Sequence, residues 1–152
     1  MELFSQFVQL LNHPTSDFVR RNAIFYLSKY FKPELFPIVL NYLHVTNESK
    51  NPIFLKSSLL FLKAIYPKAN NQFLQYFDEF FQLITTCLQN SDIFLRESAL
   101  IFGFTLMEHF EDERPCQFAA MSFSLLQELS TQPPEQFCHE NSLCKFLQQL
   151  LN

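Results

Sequence analysis

Glycine is almost missing from this chain: its 152 residues contain one, Gly103. A β-sandwich or barrel needs glycine at its turns, and a doubly wound nucleotide-binding fold needs it at its phosphate loop, so both are disfavoured. Tryptophan is absent, while phenylalanine is abundant at 20 residues and takes core positions that leucine usually fills. No apolar run approaches the roughly 18 residues that a membrane-spanning helix requires. Recognisable catalytic sets are also missing. Of the four histidines, His13, His44, His109 and His139, none belongs to an HExxH helix, and a single glycine permits no Gly-rich phosphate loop. The four cysteines, Cys87, Cys116, Cys138 and Cys144, form no Cys-x-x-Cys pair. The one metal-like cluster, Cys138, His139 and Cys144, therefore lacks zinc-site spacing. His109 with Glu111 and Glu113 reads as a solvated helix end. The expectation is no enzyme, no catalytic residue, no metal, no cofactor and no small-molecule substrate. With no signal peptide in front of them, the cysteines are expected to be reduced thiols of a cytosolic or nuclear protein.

What is present is helical periodicity. The chain is 48% hydrophobic and 17% charged, a composition that excludes disorder, and its length suits one domain over residues 1–152. Apolar residues recur at helical spacing over 2–12, from Ser16 or Asp17 to about Phe31, and from Pro33 to about Val45. They recur again from Asn51 to Tyr66, Asn71 to Gln89, Ser91 to Phe110, about Pro115 to Ser130, and Glu135 to the end. Polar or proline-marked breaks separate these eight segments, with Pro67 expected to stop the fourth. The clearest is Ser91–Phe110. Ser91 or Asp92 can cap it, and Leu95, Ala99, Phe102 and Leu106 share one face. Arg96, Glu97 and Glu108 are expected to stay wet. Gly103 inside this helix costs about 1 kcal/mol relative to Ala, which is explained either by tolerance at that site or by close approach of a neighbouring helix.

The second helix of each hairpin repeats. Asp17-Phe18-Val19-Arg20-Arg21-Asn22-Ala23-Ile24 is followed by Ile53-Phe54-Leu55-Lys56-Ser57-Ser58-Leu59-Leu60. Then come Ile93-Phe94-Leu95-Arg96-Glu97-Ser98-Ala99-Leu100 and a looser Gln136-Phe137-Cys138-His139-Glu140-Asn141-Ser142-Leu143. The residues at the basic position, Arg20, Lys56, Arg96 and His139, lie at intervals of 36, 40 and 43, in or near the range of paired-helix solenoids. A cap, an apolar residue, Arg or Lys, two variable positions and a small residue: this pattern resembles the HEAT repeat and is similar to armadillo repeats. Leu59 and His139 depart from it. The resemblance implies an all-α fold, a right-handed α-α superhelix of about four HEAT-like hairpins and eight helices. It also implies a non-enzymatic scaffold that offers a curved surface to a partner. Stacked hairpins share a core that one amphipathic hairpin cannot build alone. The polar fourth repeat suits an end cap, and Glu2, Ser5, Gln6 and Gln9 suit the first helix to the same role.

Charge is unevenly spread. Residues 17–68 hold eight basic and three acidic side chains, net +5, while residues 69–152 hold three basic and eleven acidic, net −8. Arg20, Lys56 and Arg96 stand in register, with Arg21 beside the first. They read either as braces between neighbouring repeats or as a basic stripe. The functional expectation is an adaptor or complex subunit. It would dock an acidic or amphipathic segment of a protein partner on the face of the second helices, through Arg20, Arg21, Phe25, Lys56, Lys63 and Arg96. The alternative is a nucleic-acid-associated factor using the basic N-terminal half. Phe25, Phe61 and Phe104 fall beside the best apolar stripes, so they are either an exposed patch or core.

Overall fold

The computed structural model describes residues 2–108 and 110–130. About 85% of the described residues are helical and none is in a strand. The helices are α1 (Glu2–Gln9), α2 (Asp17–Tyr30), α3 (Phe36–Ser49), α4 (Pro52–Gln75), α5 (Phe77–Leu88), α6 (Ile93–Met107) and α7 (Arg114–Ser130). The expected eighth helix, the fourth repeat and the Cys138–His139–Cys144 cluster lie outside the described residues, as does His109. None of the described helices is long and apolar enough to cross a membrane.

Packing follows chain order. α1 pairs with α2, α3 with α4 and α5 with α6, while α2, α4 and α6 lie side by side and α7 closes against α6. Buried side chains form one continuous cluster from Phe4 to Phe118. Its densest part is aromatic. Phe73, near the end of α4, lies 4.6 Å from Phe80 on α5, 5.3 Å from Phe36 on α3 and 5.9 Å from Phe102 on α6, between ring centroids. One ring thus ties four helices together, and most of these contacts have the edge-to-face or tilted geometry that aromatic quadrupoles favour. The expected α6 stripe is fully buried at Leu95, Ala99, Phe102 and Leu106.

Local chemistry explains most boundaries. Ser16 accepts a bond from the Val19 amide at 3.1 Å, Asn51 from Ile53 at 3.0 Å and Asp92 from Leu95 at 3.0 Å, so α2, α4 and α6 each start on a side-chain cap. The His13 ring nitrogen Nδ1 accepts from the Thr15 and Ser16 amides and shapes the α1–α2 turn. Before that turn, α1 tightens into a 3-10 turn at Leu10–Asn12. A second 3-10 turn, Pro33–Leu35, leads into α3, which runs to Ser49 instead of stopping near Val45. Its last turn is held because Thr46 is buried and bonded by Asn12, and the helix ends where Lys50 takes a left-handed conformation.

Pro67 does mark the end of the first helical run of α4: two residues on, at Ala69, the backbone leaves helical geometry (φ −145°, ψ 28°), and a second run follows from there to Gln75 before the chain turns at Tyr76. A proline inside a helix removes a bond and costs about 3 kcal/mol. Here Ala69 and Phe73 beyond the bend are buried, and Tyr66 packs on Phe73 at 5.2 Å. Core packing holds the second run in place across the break that follows the proline. Lys68, just after it, donates to the carbonyls of Ser28 and Lys29 in the last turn of α2, which suits the negative end of a helix dipole.

A polar network crosses the same core. Tyr42 on α3 donates to Asn12 Oδ1 at 2.7 Å and lies 3.0 Å from Ser58 Oγ on α4, and Asn12 in turn donates to Thr46 at 3.1 Å. Burial pushes the Tyr42 hydroxyl up, with its bonds to Ser58 and Thr46 opposing that rise. Burial likewise pushes the Cys87 thiol on α5 from about 9 up to about 12. Both shifts have the same consequence. Above the unfolded pKa the unfolded chain releases a proton that the folded chain keeps, so the Cys87 contribution is full below pH 9 and is lost as pH rises toward about 12, while the Tyr42 contribution is full below pH 10 and is lost above it. For Cys87 alone the loss is about 1.4 kcal/mol per pH unit in that window. Urea titrations at pH 8 and pH 11 should therefore show a smaller alkaline loss in Cys87→Ala than in the unsubstituted chain. Equal losses would place that thiol in contact with water.

Candidate partner-docking groove

The first two turns of α2, α4 and α6 enclose a groove of about 640 Å³. All three helices begin there, side by side, each behind its cap. Its apolar floor and rim include Ile24, Ile53, Leu60, Phe94 and Ile101, and its basic groups are Arg20 and Arg21 from α2 and Lys56 from α4. Asp17 belongs to α2, Asp92 caps α6, and Glu97 adds a buried carboxyl group from α6. The groove is therefore basic toward α2 and α4, acidic toward α6, and apolar between.

The basic residues do not repeat one contact. Arg20 is only 8% exposed. Its guanidinium donates to the His13 carbonyl and approaches Asp17 at 3.8 Å, so it fastens the α1–α2 turn while lining the groove. Arg21 bonds Asp17 at 2.7 Å through Nε, yet its side chain stays 77% exposed. Lys56 lies with Nζ 5.2 Å from the centre of the Phe94 ring on the next helix, a cation–π contact worth about 0.5–1 kcal/mol at an exposed site. Lys63 and Arg96 are half-buried and do not line the groove. The structure thus brings together Arg20, Arg21 and Lys56 and leaves Lys63, Arg96 and Phe25 elsewhere.

The flanking phenylalanines part company. Phe61 is fully buried. Phe104 is half-buried against Phe118, with centroids 4.9 Å apart. Phe25 is 62% exposed and meets Tyr26 edge-on. They form no common patch. Glu97, expected to be wet, is 3% exposed, because α6 is packed by α4, α5 and α7 and has little outer face. Sequence periodicity also missed Ile53 and Phe94 as groove residues. The signal available was their place in the first turn: Phe18, Ile53 and Phe94 all occupy the second position of a capped helix, α2, α4 or α6, and all three are exposed. Among the described residues no group of three or more His, Cys, Asp or Glu side chains could hold a metal ion.

The chain matches no family model, no curated protein and no solved structure.

Proposed function

We propose that this chain is a non-enzymatic protein-interaction module, a single HEAT-like solenoid domain serving as an adaptor or complex subunit. On this reading an acidic or amphipathic segment of a protein partner docks along the α2–α4–α6 groove. The observation that carries it is the layout of that groove, in which Arg20, Arg21 and Lys56 stand on the α2–α4 side, with Asp92 and Glu97 on the α6 side, around an apolar floor made by Ile24, Ile53 and Leu60. An apolar stripe of the partner would cover the floor, and its carboxylates would face Arg21 and Lys56. The thiols and the helical core suit a cytosolic or nuclear setting.

The test is a double charge reversal, Arg21→Glu with Lys56→Glu. After a pull-down and mass spectrometry have identified a partner, the variant should bind it with an association rate lowered roughly tenfold at low salt and less at high salt, since exposed charges steer encounter. The variant loses the exposed Arg21–Asp17 pair and the Lys56 contact with the Phe94 ring, so stability should fall by about 1–2 kcal/mol at most. A variant that melts much earlier but binds unchanged would make these residues braces and reject the reading. A nucleic-acid ligand would show itself differently, by an affinity falling steeply and linearly in log salt for the unsubstituted chain.

A further inference from the structure

The lining of the α2–α4–α6 groove repeats with one spacing. Each helix meets the groove over the same seven-residue interval, Asp17 to Ile24, Ile53 to Leu60 and Phe94 to Ile101. The three helices lie side by side, so Ile24, Leu60 and Ile101 form an apolar row that crosses them. Ile53 and Phe94, 48% and 40% exposed, make a second apolar edge nearer the helix starts. Neighbouring packed helices stand about 8–10 Å apart, so a segment laid across them meets one side chain of the row at each such step. A β-strand returns to one face every second residue, about 6.7 Å, and falls short. An α-helix regains the same phase after seven residues, about 10.5 Å, and overshoots. A polyproline II segment has three residues per turn and regains it every 9.3 Å or so. Its first, fourth and seventh side chains span about 19 Å, against about 16–20 Å for the row.

The charges of the groove set which way such a segment lies. Arg21, with its side chain 77% exposed, and Lys56 serve the α2–α4 end, while Asp92 and Glu97 stand at the α6 end. A carboxylate of the segment is matched over α2 and α4 and opposed over α6. Resting on the docking reading above, we propose that the occupant of the groove is a polyproline II segment of a partner protein. It carries an apolar residue at every third position over about seven residues, and its acidic residues lie only at the end over α2 and α4. Such a segment is already extended when free, so it loses little entropy on docking. Its backbone carbonyls have no internal partners and are open to the Arg21 guanidinium and the Lys56 ammonium.

Selection of phage-displayed random peptides on the purified full chain tests this. Enriched sequences should carry Pro, Val, Leu or Ile at every third residue, with Asp or Glu gathered at one end. A synthetic peptide of that consensus should bind the chain in fluorescence polarisation. Arg21→Glu with Lys56→Glu should weaken it roughly tenfold at low salt, and Phe94→Glu about as much. Three changes in the peptide are read on the unsubstituted chain, so they do not depend on a variant folding. Proline at the positions between the apolar residues should leave the affinity within about threefold, because proline breaks a helix or a paired strand but suits polyproline II. Adding one residue between successive apolar positions, or moving the acidic residues to the other end, should each weaken binding roughly tenfold. Peptides that need the groove but show an apolar period of two or of seven, or that proline abolishes, overturn the polyproline II assignment and leave the docking reading standing. So does indifference to where the acidic residues sit. Enriched peptides that bind both groove variants as well as the unsubstituted chain, or a selection that enriches none, overturn the two together.

Discussion

Ala99→Asp is expected to lower stability by about 3–5 kcal/mol, the cost of an uncompensated charge inside a packed core. Ala99 is fully buried on α6, within the stripe that faces its neighbours. Nothing acidic is tolerated there without either ionising in an apolar setting or holding a proton. For a chain of this length each kcal/mol shifts the midpoint by about 2–4 °C, so the melting temperature should fall by about 6–20 °C. The pH dependence identifies the cause. Burial raises the carboxyl pKa above its unfolded value, so the variant's deficit is greatest above that raised value and shrinks as pH falls toward about 4. Ala99→Ser, which adds a hydroxyl able to bond back to its own helix, should cost far less. A melting temperature unchanged in Ala99→Asp would mean that α6 presents a different face to the core.

The same helix shows what a sequence reveals and what it withholds. The spacing of Leu95, Ala99, Phe102 and Leu106 is enough to place them inward, because helical geometry alone puts them on one face. The fate of Glu97 is not readable that way. α6 is covered by α4, α5 and α7, and a helix packed on nearly every side has no wet face for its few charges. Pro67 is a parallel case. Local chemistry says stop, and the helix does break at Ala69, but the direction of the second run is set by Phe73, six residues past the proline, which is held by Phe36, Phe80 and Phe102. Such contacts join residues far apart in the chain, and no local window contains them.

The groove was partly legible. The register of Arg20 and Lys56 on successive helices pointed to it, since equivalent positions of stacked hairpins lie side by side. Arg96 does not join them, and Arg20 bonds to the preceding turn. Ile53 and Phe94 went unseen because an apolar residue in a first turn looks like core until the helix beside it is in place. The excess of phenylalanine divides in the same manner. Phe61, Phe73, Phe80, Phe102 and Phe118 are fully buried or nearly so, while Phe18 and Phe25 are largely exposed, and composition cannot tell the two groups apart.

Gly103 carries the second large effect. A Cβ built on it would lie 2.2 Å from Cζ of Phe118 on α7 and 2.7 Å from Cε1 of the same ring. The one glycine of the chain is therefore the site where α7 presses its buried ring into α6, and close approach, not tolerance, explains it. Phe118 cannot simply turn aside: it is fully buried, with Phe104 at 4.9 Å and Phe81 at 6.4 Å. Two effects of opposite sign meet in Gly103→Ala. Helix propensity favours alanine by about 1 kcal/mol, while forcing the ring from its seat costs about 1–3 kcal/mol. The net change should be destabilising by about 1–2 kcal/mol, and Gly103→Leu should be worse, reaching about 3 kcal/mol or more by overpacking. The decisive comparison removes the ring. Phe118→Ala should itself cost about 3–5 kcal/mol, but in that background the collision is gone and only the propensity gain remains, so Gly103→Ala should turn from destabilising to stabilising. A double-mutant cycle by urea denaturation reads this coupling as a change of sign. If Gly103→Ala costs the same with and without the Phe118 ring, α7 does not seat on α6 through this pair, and the absence of a side chain at 103 needs another cause.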